Sequence, residues 1–319
     1  MTTKWGMTLS SEEQPPLRLV DLAGLAEAAD FDFVSISDHY HPWVAEQGHA
    51  SFVWGVLGAI GASTERIEVG VGVTCPIMRI HPAVLAQAVA TASLLFEGRF
   101  TWGVGTGEAL NEHILGHKWP PHNIRLEMLE EAVAVIRRLW SEDSVTHYGP
   151  HFTVEDARLL DRPERPVPVV VSAYGPDAAG AAARIGDGLW TTGMKDTIDT
   201  FRKAGGTGSV YSQLTLCWGE DKDKAVAEAR RLWAFSSLPG NLAANLRTMA
   251  DFEEAVGIVS EEMVARDIPC GPEAGPIVEK AKQAIEAGVD HLYFHQIGDD
   301  QEGFIEFWQE ELRPALVDT

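Results

Sequence analysis

A chain of 319 residues with 45% apolar side chains is long enough to bury one sizeable core. Its formal net charge of −22 argues against nucleic acid or an anionic membrane as partner, because both would be repelled. The three cysteines, Cys75, Cys217 and Cys270, lie far apart in sequence and fit neither a disulfide framework nor a zinc spacing, which suggests a reducing, cytoplasmic setting. The opening MTTKWGMTLSSEEQPP lacks the charged leader and apolar block of a signal peptide, and no apolar run approaches the ~20 residues of a membrane span.

In chain order, residues 4–9 read as a strand and 17–29 as an amphipathic helix. Strand 31–37 precedes helix 52–62, strand 67–73 precedes helix 82–96, and strand 100–104 precedes a long helix, 125–140. Strand 169–172 leads to helix 177–185, strand 188–191 to helix 197–204, and strand 210–217 to helix 222–235. Strand 291–295 and helix 302–312 close the series. This alternation predicts an α/β fold with a parallel sheet. Eight such units predict a single (β/α)8 TIM barrel over residues 1–319. Two segments depart from the pattern. VTHYGPHFTV (145–154) reads as an inserted hairpin. Residues 236–267 are too long for an ordinary connection and read as a helical insertion on the C-terminal face, covering the substrate.

Chemistry-bearing residues gather at the strand ends, where such barrels keep their active sites. SDHYHPW (37–43) ends the second strand with an acid, two imidazoles and an indole. His39 is suited to general-base work near neutral pH, and Asp38 could fix its tautomer. His39 and His41 also form the HxH of metal-dependent barrel hydrolases, with His291, His295 and Asp299 as candidate further ligands, although the middle strands end without Lys or His. The fourth strand ends in GVGTGEALNE (103–112), whose glycines let a flat ring approach the backbone and set Glu108 beside it. Gly70 and Gly72 inside the third strand suggest a bulge. Gly175 and Pro176 open a helix whose free N–H groups suit a phosphate, and Thr192, Gly193 and Lys195 form a polar loop with one cation.

These segments resemble the deazaflavin-dependent glucose-6-phosphate dehydrogenases of the luciferase-like monooxygenase superfamily. The resemblance rests on SDHYHPW, GVGTGEALNE, SAYGP (172–176), IGDGLW (185–190), HPAVLAQAVAT (81–91) and FIEFWQEEL (304–312), and covers nearly the whole chain. It implies a luciferase-like barrel that binds coenzyme F420 and moves a hydride to it from the hydroxyl-bearing carbon of a sugar, sugar phosphate or other alcohol. It implies a non-prolyl cis bond at Gly72-Val73, with Val73 behind the deazaflavin ring. His39 matches the general base, Trp43 the aromatic flanking the substrate, and Glu108 the acid near the ring. Glu12, or its neighbour Glu13, matches a further acid of the pocket. Asp38, Cys75, Gly107, Asn111, Ser172, Ala173, Tyr174 and Gly175 match cofactor-contacting positions, and Thr192 and Lys195 substrate-side ones. Lys195 corresponds to one phosphate-holding cation. GIVSEEMVARDIPCGP has no lysine where the family has another, and offers only Arg266. The resemblance also implies a homodimer and no metal. A flavin mononucleotide monooxygenase of the same superfamily, and the metal-dependent hydrolase, are the alternatives.

Overall fold

Apolar runs cut by Gly, Pro and Asp turns fold into parallel strands joined by helices. The computed structural model describes residues 3–192 and 195–317. Its strands are β1 (Lys4–Leu9), β2 (Phe33–Ile36), β3 (Glu68–Thr74), β4 (Phe100–Val104), β5 (Val145–Tyr148), β6 (Thr153–Ala157), β7 (Val169–Ser172), β8 (Gly188–Thr191), β9 (Ser209–Leu216) and β10 (His291–Gln296). All but β5 and β6 close a barrel in the order β1-β2-β3-β4-β7-β8-β9-β10. The barrel pairings are parallel, and β1 meets β10 through Lys4↔His291 to Met7↔Phe294. Strands covered on both faces need no polar alternation, which is why β2 (FVSI) is buried at every position. β5 and β6 form the expected antiparallel hairpin.

The barrel interior holds Phe33, Val170, Trp190, Tyr211 and Tyr293, with the Trp190 indole donating to the Tyr293 hydroxyl at 2.6 Å. Helices Pro16–Ala28, Val53–Ser63, Pro82–Leu95 and His122–Ser141 enclose the outer core.

The structure departs from the sequence pattern after β9. The helix leading into β10 is Ala274–Glu286, which packs against β9 and β10. Its apolar stripe is Ile277 and Ala281, fully buried, with Val278, Ala284 and Ile285 packed beside them, an ordinary helical spacing that sequence reading overlooked. Helix Lys222–Trp233, expected as that crossover, instead packs on the helix Glu261–Asp267. Together with the short helices Gly240–Ala243 and Met249–Ala255 it surrounds a second apolar cluster containing Trp43, Leu110, Trp233, Phe235, Phe252, Val264 and Ile297. Where this body meets the end of β9, Cys217 N donates to Pro269 O at 2.9 Å and Gly271 N to Cys217 O at 3.0 Å. Cys217 and Cys270, distant in sequence, are thus bridge neighbours, both as free thiols. The last helix is also irregular: Gln301–Phe307 passes into a π-turn segment, Trp308–Leu312.

Candidate active site

The SDHYHPW loop leaves β2 with His39 over the end of β1. His39 Nδ1 lies 3.2 Å from the carbonyl oxygen of His41 and 3.4 Å from Oε1 of Glu12. A carbonyl oxygen only accepts, so Nδ1 carries the proton in the neutral ring. Nε2 then holds the lone pair, and it has no partner among the described residues. Glu12 is 2% exposed, and its Oε2 accepts from Ser37 Oγ at 2.6 Å and Ser10 Oγ at 3.1 Å. This settles which of the paired acids faces the imidazole: Glu13 turns toward Trp233, His295 and Gly298.

Asp38 does not hold the His39 tautomer. Its Oδ1 accepts from Arg79 Nη2 at 2.7 Å. Arg79 also gives its backbone N–H to Glu112 Oε2 at 2.7 Å, and its Nε stands 3.6 Å from Glu112 Oε1. This buried acid–guanidinium–acid bridge staples the ends of β2, β3 and β4. Sequence reading missed Arg79 and Glu112 because nothing local in CPIMRIHP or EALNE pairs them. Desolvation pushes the Glu112 carboxyl up to about 7, against the pull of Arg79.

Glu108 is half-buried before the short helix Ala109–Glu112. Desolvation raises its carboxyl to about 7; Glu12 adds to the rise and His39 opposes it. His39, Glu12 and Glu108, at the ends of β2, β1 and β4, therefore share one electrostatic site. Trp43 closes a side of it, its ring 4.9 Å from His39, stacked at 4.5 Å on Phe235 and edge-on at 5.2 Å to Phe252. The body after β9 reaches the same place, since Ala109 N donates to Ala244 O at 3.1 Å.

Beside these groups, β3 carries a cis bond at Gly72-Val73, and its pairing with β4 shifts between Val71 and Thr74. A Cβ on Gly72 would come within 2.7 Å of Ser35 Oγ and the Trp190 ring, so only glycine fits. Gly107 adopts φ +71°, and a Cβ there would meet Cys75 Sγ at 2.3 Å, which places Cys75 directly behind it. Asn111 Oδ1 accepts from the amides of Tyr40 and His41 at 2.8 and 3.1 Å, tying the β4 helix to the β2 loop. At the end of β7, Ser172 is half-buried, Ala173 is buried, Tyr174 is exposed, and Gly175 caps the helix Pro176–Ile185. The glycine backbone at Gly72 and Gly107, and the buried Asp38 Oδ2, which has no hydrogen-bond partner among the described residues, fit a flat, polar ring system.

Thr192 is exposed past β8, and Lys195 is two-thirds exposed with its ammonium on Asp199 at 3.0 Å. Gly193 lies outside the described residues. Arg266 pairs with Asp267. The two histidines of HxH diverge: His41 Nδ1 donates to Leu110 O at 3.0 Å and its ring stacks on His113. Among the described residues, no three His, Cys, Asp or Glu side chains converge as metal ligands would.

The family model described as luciferase-like monooxygenase matches residues 1–291. An F420-dependent glucose-6-phosphate dehydrogenase of Microbacterium testaceum is 36% identical over 327 residues, covering 98% of this chain and 97% of the relative. One from Intrasporangium calvum is 37% identical over 330 residues, covering 98% of each. Among solved structures, an F420-dependent secondary alcohol dehydrogenase in complex with an F420-acetone adduct superposes with a TM-score of 0.91 at 30% identity, covering 99% of both chains.

Proposed function

The chain belongs to the luciferase-like monooxygenase superfamily and, within it, to the F420-dependent glucose-6-phosphate dehydrogenase family, and from that premise we propose that it oxidises a hydroxyl-bearing carbon at the expense of coenzyme F420. The observation that carries this reading is the juxtaposition of His39, whose Nε2 has no partner among the described residues, with Glu108, whose carboxyl desolvation raises to about 7. The F420-dependent glucose-6-phosphate dehydrogenases at 36–37% identity over nearly the full chain favour this reading over a flavin mononucleotide monooxygenase or a metal-dependent hydrolase.

Gly72, Val73 and Gly107 would form the wall against the cofactor, backed by Cys75. Asp38, Asn111, Ser172, Ala173, Tyr174 and Gly175 would line its edges. When bound, coenzyme F420 supplies the two-electron hydride acceptor. His39 Nε2 takes the substrate hydroxyl proton, which makes the carbinol carbon a competent hydride source. The imidazolium so formed keeps its Nδ1–H toward Glu12, whose negative charge stabilises it. Glu108 releases or regains a proton at its carboxyl to balance charge on the cofactor side. Trp43, backed by Phe235 and Phe252, packs on the apolar face of the substrate and excludes water. The body after β9, including residues 236–267, covers the site. Thr192 and Lys195 stand at its outer rim, where a sugar, a sugar phosphate or another alcohol would extend.

The reading extends to a cytoplasmic homodimer. Residues 49–64 and 80–96 contain no Asp, Glu, Lys or Arg. The helices they form, Val53–Ser63 and Pro82–Leu95, pack side by side and expose Phe52, Val84 and Leu95, with Leu17 alongside. Adjacent helices that carry no charge and leave large apolar side chains exposed call for cover, and a second copy presenting the same face supplies it. Fluorescence titration with F420 and with flavin mononucleotide tests the cofactor: tight F420 binding is expected, and binding of flavin mononucleotide alone would overturn it.

A further inference from the structure

The sequence EEQPP sets two adjacent carboxylates at the end of β1, and the structure gives them different partners. Glu12 lies under His39. Glu13 is 6% exposed; its Oε1 accepts from Trp233 Nε1 at 2.6 Å and faces His295 Nε2 at 3.0 Å, and its Oε2 accepts from Gly298 N at 2.7 Å. Trp233 ends a helix of the body that follows β9, whereas His295 and Gly298 belong to the end of β10 and the loop beyond. One carboxylate thus holds three elements together.

The two acids also communicate. Ser10 Oγ stands 3.1 Å from Glu12 Oε2 and 3.2 Å from Glu13 Oε1. One hydroxyl hydrogen cannot serve both fully, so the buried carboxylates share a donor in a medium where charges are poorly screened. The charged and titratable groups around this cluster are Glu12 and Glu13 from β1, His39 from β2, Glu108 from β4, Cys217 from β9 and His295 from β10.

We propose that Glu13 is a positioning residue for the reaction: it clamps the body after β9 onto the β1 end and, through Ser10 and Glu12, sets the proton affinity of the His39 imidazole. This inference rests on His39 as the base. Its partner chemistry is complete in the chain itself and calls on no further ligand.

The test is histidine-selective 15N NMR of the full chain across pH, with His39→Gln assigning the His39 ring signals. In Glu13→Gln a buried negative charge is lost, so the His39 titration midpoint falls by roughly half a pH unit or more. In Trp233→Phe the charge stays but loses its shortest donor, so the midpoint rises. Loosening of the fold alone would move both variants the same way. A midpoint that is unmoved or higher in Glu13→Gln overturns the proposal. If Glu13→Gln does not fold, Trp233→Phe decides, and an unmoved or lower midpoint there overturns it. Turnover of His39→Gln is scored separately. Full turnover would remove the base assignment while leaving the coupling between Glu13 and His39 standing.

Discussion

Glu108 gives the sharpest quantitative consequence. Its carboxyl is displaced from the ordinary 4.5 to about 7, chiefly by desolvation, a displacement worth about 3 kcal/mol of stability. Below the ordinary value, both the folded and the unfolded carboxyl are protonated and the group contributes nothing. Between 4.5 and about 7 the unfolded chain ionises while the folded one keeps its proton, so stability falls as pH rises. Above about 7 both are ionised and the loss stays constant. Glu108→Gln keeps the shape and cannot ionise. Urea denaturation of the two proteins from acid to mildly alkaline pH should show the variant gaining about 3 kcal/mol on the wild type across this window, then running parallel to it. Glu112 titrates in the same range in both proteins and cancels from the difference. Turnover should match: a wild-type decline above about 7 that the variant lacks. Stability curves parallel through the whole range would refute the raised Glu108 carboxyl.

Further outcomes follow from the same geometry. His39→Gln should lower turnover by roughly 10²–10⁴-fold while F420 affinity, read by fluorescence, stays unchanged. Trp43→Ala removes the ring that stacks on Phe235, and should cost about 3–5 kcal/mol in denaturant melts and raise KM. Asp38→Asn leaves the buried Arg79 without its closest anion, and should cost about 3–5 kcal/mol in the same melts. Gly107→Ala forces a Cβ onto Cys75 Sγ at positive φ, and should cost about 1–3 kcal/mol and weaken F420 binding measured by titration.

The barrel was legible because each strand is a short apolar run with turn residues at both ends, and the expected strand at 4–9 is Lys4–Leu9 in the structure. Helix Ala274–Glu286 was legible and was overlooked: Ile277, Ala281, Ala284 and Ile285 recur at helical spacing and pack on the core. The path of helix Lys222–Trp233 depends on Trp43, Phe235 and Phe252 converging from distant segments, which no local pattern reports. The site divides the same way. His39, Trp43 and Glu108 stood out because imidazole, indole and carboxylate are unusual at strand ends. The Arg79 staple joins positions 38, 79 and 112, and the Glu13 clamp joins 13, 233, 295 and 298. Each forms only when the barrel closes. The assignment of the His39 tautomer to Asp38, its sequence neighbour, was corrected for the same reason: folding brings Glu12 and the His41 carbonyl to the ring and Arg79 to Asp38.

Hydride transfer from an alcohol to F420 with His39 as base is read directly by the bleaching of oxidised F420 absorbance by the purified protein, with glucose 6-phosphate, unphosphorylated sugars and simple alcohols as donors, for wild type and His39→Gln side by side. Bleaching with at least one alcohol donor, and its near-complete loss in His39→Gln, are expected. Bleaching that persists undiminished in the variant, or a wild type that binds F420 and bleaches it with no alcohol, would contradict this chemistry.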